Sequence, residues 1–360
     1  MRSLFIAGCL LSIAPAAFAQ PINYNDNTAD TASYSLRPNS QYNSANTQYT
    51  NNNAKQVTAY AAPAKSGPYQ NPDYDLNVGL ETGYRTSDLK WNIAGTYAGT
   101  SPNVLSELQW KNVEGYEFQP KVDYTQKTGS LRGLNLQGSV NKSITTGGDN
   151  QDSDYAGDNR TSEFSRSNND SDAGHSEGFK ASVGYAFDFN DSRKKTLARF
   201  TALVGYAMQD QTFVLRDGNQ TIPATGSFAG LRSSYDMEIR APFIGAELTS
   251  NFSEHHHIKL RGEYMYGTYE GTGNWNLRGD LNHPDSYEQK ANGNGYLVSA
   301  QYGWQFSPRT QFTLSSTYNY FKTNDGKDKV FFSNGTTGTT RLNEAKFQSI
   351  DYMAGLNYKF

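Results

Sequence analysis

A chain of 360 residues could carry two soluble domains, yet only 36% of its residues are hydrophobic and its mean hydropathy is −0.74, too little apolar material for soluble cores of that size. A formal net charge of −3 offers no basic excess and argues against a nucleic-acid partner. The single cysteine, Cys9, excludes a disulfide scaffold and paired-thiol chemistry. Aromatic residues reach 13%, with 25 Tyr and 19 Phe. That mixture suits a wall with one greasy and one wet face, where aromatic residues gather at the two membrane interfaces.

The N-terminus carries Arg2, an apolar run from Leu4 to Ala17, and Ala17-Phe18-Ala19 before Gln20. This pattern predicts a secretory signal over residues 1–19, cleaved after export by the Sec pathway. Loss of Arg2 takes the formal charge to about −4. Ile6-Ala7-Gly8-Cys9 has the form of a lipoprotein box, but cleavage there would leave only a stub of apolar segment after Arg2. No other stretch approaches the ~18 continuous apolar residues of a spanning helix. Strands must therefore carry the chain into a bilayer.

Residues 20–72 are poor in large aliphatics and dense in Asn, Gln, Ser, Thr, Ala and Tyr. Such a segment buries too little surface to offset its ordering entropy, so it is expected to be a disordered periplasmic tail. It reads either as a spacer or wall-binding arm, or as a tolerated linker.

From Asp73 onward the hydrophobic period becomes two. In the last segment Ile350, Tyr352, Ala354, Leu356, Tyr358 and Phe360 share one face, opposite Asp351, Gly355, Asn357 and Lys359, with Met353 the one apolar exception. Phe179, Ala181, Val183, Tyr185, Phe187 and Phe189 repeat the pattern, as do Ile258, Leu260, Tyr264 and Tyr266, then Tyr296 to Phe306, then Phe312 to Tyr320. Each apolar set is long enough to cross hydrocarbon, which takes ~9–11 tilted residues. In lipid such strands must close on one another, since a free edge would leave main-chain groups unpaired.

Ten segments follow, near 73–92, 103–124, 131–146, 177–190, 197–216, 233–253, 256–276, 292–307, 310–323 and 345–360. The expected fold is all-β, a ten-stranded antiparallel transmembrane β-barrel over residues 73–360 with long extracellular loops, in a Gram-negative outer membrane. Short links near Thr125–Ser130, Asp191–Thr196, Phe252–His256 and Ser307–Arg309 read as periplasmic turns. Long links near 93–102, 147–176, 217–232, 277–291 and 324–344 read as extracellular loops.

Several segments exceed what a bilayer needs, so a polar extension is expected above it. Glu117, Lys121, Asp123, Lys259, Arg261, Glu263, Asp351 and Lys359 fall on the inward register. They could line an ion path, although a narrow barrel favours mutual neutralisation and a largely filled lumen.

At this point particular segments carry a resemblance. Leu105-Ser106-Glu107-Leu108-Gln109-Trp110-Lys111, then Gly205-Tyr206 through Phe213 to Arg216-Asp217-Gly218, then Ala241-Pro242-Phe243-Ile244-Gly245 are similar to the second, fifth and sixth strands of the omptins, ten-stranded outer-membrane endopeptidases. The similarity runs from about Asp73 to Phe360. It implies an Asp-x-Asp pair facing an Asp-x-His pair across a cleft at the extracellular rim, with a water between them activated by the His as general base.

Asp152-Ser153-Asp154 matches the first pair, and a spacing of two puts both carboxylates on one face of an extended segment. Like charges so close should raise one pKa. At the second pair the alignment brings Asn276 and Arg278 to the Asp and His positions, and neither can serve as a base. His283, in Asp280-Leu281-Asn282-His283, is the nearest displaced base. The resemblance also places the acidic specificity pocket at Asn274 and Asp88, and a lipopolysaccharide cluster at Tyr206, Met208, Asp210, Glu238 and Ala291, of which only Tyr206 agrees in type.

Read without the resemblance, Asp152 and Asp154 sit in a segment rich in Asp, Asn and Gly that suits a solvated loop, and the spacing lacks the Gly and distal Glu of a calcium loop. His255-His256-His257 falls at a turn, where converging metal ligands are unusual. No cofactor and no dedicated metal are expected.

The leading reading is a monomeric structural or surface-interaction barrel without omptin peptidase activity. Its surroundings are the bilayer and lipopolysaccharide, with an extracellular peptide or host surface as candidate partner. An aspartyl-type endopeptidase using Asp152, Asp154 and His283, and a narrow porin-like channel, are the alternatives.

Overall fold

The computed structural model describes residues 68–190 and 196–360. The expected signal segment, the tail up to residue 67 and the link at 191–195 lie outside the described residues. The strands are β1 (Tyr74–Ile93), β2 (Ser106–Gln126), β3 (Leu134–Gly157), β4 (Thr161–Asp170), β5 (Gly174–Asn190), β6 (Thr196–Ile222) and β7 (Gly226–Ser227). They continue as β8 (Ser233–Asn251), β9 (His256–Asn274), β10 (Tyr287–Gln305), β11 (Thr310–Thr323), β12 (Gly326–Phe331) and β13 (Thr337–Lys359).

Every pairing is antiparallel, and β13 closes on β1 from Asn77↔Lys359 upward, so the sheet has no free edge. The ring has ten staves. The fourth is β5 below and β4 above, and the ninth is β11 below and β12 above.

Period-two patterning accounts for the lower half. Leu80, Phe118, Val140, Val183, Val204, Ile244, Leu260, Val298, Leu314 and Leu356 are all exposed on the outer face, as contact with lipid tails requires. Above this band the strands run on, because an antiparallel ladder needs only main-chain groups. The sequence underestimates this extension. The 147–176 link, expected as a loop, is the top of β3 folding back as β4, and 324–344 holds β12 and the first residues of β13. Similarly, β10 begins at Tyr287 and β6 reaches Ile222. Outside the bilayer no apolar alternation is needed, so these polar stretches read as loops although their backbones pair.

The inward face changes character with height. In the lower half, inward charges neutralise one another across the lumen. Arg85 Nη1 bridges Glu117 (3.1 Å) and Asp351 (3.0 Å), Lys180 meets Glu263 (2.8 Å), and Lys259 meets Glu247 (3.0 Å) and Asp123 (3.3 Å). Around them lies a cavity of about 1510 Å³, lined by Pro68, Gln70 and Pro72 at the turn end and reaching Ile239, Phe321 and Phe347. The lumen is thus less filled than a narrow barrel leads one to expect.

The upper half reverses the pattern, with apolar side chains inside. Leu89, Trp91, Leu108, Trp110, Phe213, Tyr235, Met237, Tyr269, Tyr287 and Leu342 belong to one buried cluster. Trp91 on the first stave lies 5.7 Å from Tyr235 on the sixth, and Trp110 lies 5.3 Å from both Tyr235 and Phe213. Rings from opposite walls in contact close the lumen at this level.

At the turn end, the chain entering β1 is pinned to the rim. Tyr69 N donates to Pro308 O (2.6 Å), and the Arg309 guanidinium lies 4.1 Å from the Tyr69 ring centre.

Candidate functional site at the extracellular rim

β3 brings Asp152 and Asp154 to the inner wall of its upper extension, where they pair with Leu108 and Ser106 of β2 and with Ser167 and Ser165 of β4. The pair therefore sits on a strand, flanked on both sides, rather than in a solvated loop. Burial is the largest influence on both carboxyls and raises both pKa values, Asp152 the more strongly, with Asp154 adding its charge. Asp152 Oδ1 is fully shielded and has no hydrogen-bond partner. Ser106 and Ser165 hydrogen-bond Asp154 and partly offset its rise. The two carboxyls hold one proton between them more readily than two charges.

Arg278 is the cation whose field reaches both carboxyls. Its guanidinium is itself clamped by Asp280, with Nε to Oδ1 at 2.8 Å and Nη2 to Oδ2 at 2.7 Å. That bidentate contact holds the exposed Asp280 carboxyl down at about 2. Asp280 is thereby engaged away from His283, whose Nδ1 lies 3.0 Å from Asn274 Oδ1 in an exposed loop. Asn276 has a structural task. Its Oδ1 accepts from Arg232 N (2.8 Å) and Ser233 Oγ (3.1 Å), and its Nδ2 donates to Gly230 O (2.8 Å). The structure thus brings Asp152, Asp154 and Arg278 together, ties Asn276 to Gly230, Arg232 and Ser233, and ties His283 to Asn274 at the end of β9.

Asp88 does not belong to an inner pocket. Glu81, Arg85, Ser87, Leu89 and Trp91 are buried on the inward register of β1, which turns Asp88 outward. There it accepts from Asn112 N (2.8 Å) and Gln348 Nε2 (2.7 Å). In the expected lipopolysaccharide cluster, Asp210 and Glu238 are taken up by Arg240, a residue the sequence reading did not single out. Sequence reading also missed the chain Thr340, Asp328, Gln289, Tyr235, Tyr269 beneath the rim. Alternating glycines in Gly271-Thr272-Gly273 signal it, since a Cβ on Gly271 would strike Tyr235 and one on Gly273 would strike Tyr287.

The profile of the Pom family, described as Protochlamydia outer membrane protein, matches residues 79–360, which is nearly the whole barrel. The chain belongs to the Pom family. No curated protein sequence matches this Pom chain. Among solved structures, it is similar to the outer membrane protease OmpT from Escherichia coli, with 15% identity, a TM-score of 0.66, and coverage of 80% of this chain and 97% of OmpT. The attachment invasion locus protein Ail of Yersinia pestis also matches, at 10% identity and a TM-score of 0.27, covering 79% of the Pom chain and 98% of Ail. At this identity the OmpT match carries the barrel fold and nothing of its chemistry. Family and fold together place the Pom chain in the outer membrane.

Proposed function

We propose that this Pom barrel is a non-peptidase component of the outer membrane, with a structural or surface-contact role at its extracellular rim. One observation carries this reading: where a water-activating base would face Asp152 and Asp154, Arg278 stands instead, and it stays protonated near neutrality. A water held there meets two carboxyls that burial keeps partly protonated and a cation that cannot accept a proton. Nor does the described geometry supply a displaced base. His283 is held by Asn274, and Asp280, which would orient it, is bound to Arg278.

The test is hydrolysis of fluorogenic basic peptides by the refolded full chain, with and without lipopolysaccharide. Wild type should show no turnover, and His283→Ala should change nothing. Turnover by wild type that His283→Ala abolishes would sink the reading. Asn276→Asp combined with Arg278→His restores the residue types of the second pair, and cleavage by that variant alone would show that the scaffold keeps the distance a catalytic water needs.

A second reading, a narrow channel, is favoured by the cavity of about 1510 Å³ that opens among the periplasmic turns. It has the polar lining of a solute path and lacks only an exit, since the aromatic cluster stands between it and the rim. The planar-bilayer measurement described below separates the two readings.

A further inference from the structure

Above the membrane band the lumen is closed by rings, and those rings are held by a chain of hydrogen bonds that ends on a buried carboxyl. Tyr235 Oη lies 2.6 Å from Tyr269 Oη and donates to Gln289 Oε1 at 2.7 Å. Gln289 Nε2 donates to Asp328 Oδ1 at 3.1 Å, and Thr340 Oγ1 donates to Asp328 Oδ2 at 3.0 Å. Tyr235, Gln289 and Asp328 are each no more than 1% exposed. Tyr235 is the ring that touches both Trp91 and Trp110 across the lumen. The position of Asp328 therefore bears directly on closure.

Asp328 lies on β12, between Gln289 of β10 and Thr340 of β13. Among the described residues, the side chains that bond it or feel its charge are neutral or potential anions: Gln289 and Tyr287 from β10, Thr340 from β13 and Tyr235 from β8, with Tyr269 of β9 beyond Tyr235 and Asp152 of β3 beyond Tyr287. The nearby charges on its own strand and its partners, Lys327, Lys329, Glu288, Lys290 and Arg341, alternate to the outer face. Among the described residues no ion pair reaches Asp328.

A carboxylate so placed has two neutral donors and no counter-charge, so ionisation inside the closed cluster is costly. Three further polar groups of the cluster, Trp91 Nε1, Trp110 Nε1 and Tyr287 Oη, are buried without partners. All three would gain from water if the rings parted.

We propose that the ring cluster is a proton-operated latch, in which neutral Asp328 completes the hydrogen-bonded chain that shuts the lumen and ionised Asp328 draws in water and releases it.

Burial raises the Asp328 carboxyl to about 6, against a partial offset from Gln289 and Thr340. With the rings parted and the carboxyl wet, its value returns to the ordinary range near ~3.9. Protons therefore favour the shut form. That preference is complete below ~3.9 and fades as pH rises to about 6. Above this it stays roughly a hundredfold weaker.

The latch is read by acrylamide quenching of the refolded full chain carrying Trp275→Phe and Trp304→Phe, which leaves Trp91 and Trp110, both within the cluster, as reporters. Quenching should be low at pH 4.5 and climb with a midpoint near 6, while Asp328→Asn stays low throughout. A flat wild-type profile, or the same titration in Asp328→Asn, overturns the proposal. Should Asp328→Asn fail to refold, Thr340→Val removes a donor that favours the carboxylate and leaves the Gln289 link to Tyr235 in place, so the midpoint must then move upward; an unmoved midpoint counts against the latch. Bilayer conductance over the same pH range is the second arm. A quenching transition with silent bilayers keeps the latch and removes the channel reading, whereas steady conductance without a quenching transition does the reverse.

Discussion

Asp152 stands where the omptin resemblance expects the first aspartate pair, on the inner wall of β3. Shielded, with Oδ1 unpartnered and Asp154 beside it, it is a group the folded chain prefers to keep protonated. Since its folded pKa is raised, the wild-type chain is penalised progressively as pH climbs from the ordinary carboxyl range to that raised value, and not below. Asp152→Asn should accordingly melt with wild type at pH 4 and above it at pH 8. Equal losses at both pH values would mean that the carboxylate makes a contact worth keeping. Arg85 is the opposite case, 3% exposed and bridging Glu117 and Asp351. Arg85→Met should cost about 3–5 kcal/mol, because two buried acids lose their shared cation. The unfolding midpoint in denaturant, followed by tryptophan fluorescence, measures it.

At the scale of strands, legibility followed the solvent. Lipid accepts only apolar side chains, so Tyr352, Leu356 and Tyr358 announce their face, and all three are exposed on the barrel wall. Above the lipid, strands such as the top of β3 are held by main-chain pairing between polar residues, which no local spacing reveals. The shared face of Asp152 and Asp154 follows from their spacing of two, whereas the strand that carries them reads as a loop in sequence; the clamp of Asp280 on Arg278 required the fold. The ring cluster was scarcely legible, because Trp91, Trp110, Tyr235, Tyr269 and Tyr287 come from five different strands. Only the glycines of β9 hint at it. Gly271→Val would drive a side chain into Tyr235, and it should raise acrylamide quenching of the cluster tryptophans at every pH. Quenching unchanged from wild type would show that the rings can be repacked without parting.

For the whole molecule the decisive contact is the seam. β1 and β13 meet along 17 residues of register, and Phe360 N donates to Leu76 O at the very end. These partners stand at the two ends of the barrel-forming sequence, so the circle cannot be completed while the last strand is still missing. Until then any partly built sheet presents two raw margins of unpaired amide and carbonyl groups, which hydrocarbon will not tolerate. Contacts between such distant parts of a chain also form slowly. Delivery to the membrane must therefore shelter both margins until β13 has been made, and loss of residues 350–360 should leave a chain that inserts poorly and is cleared as debris.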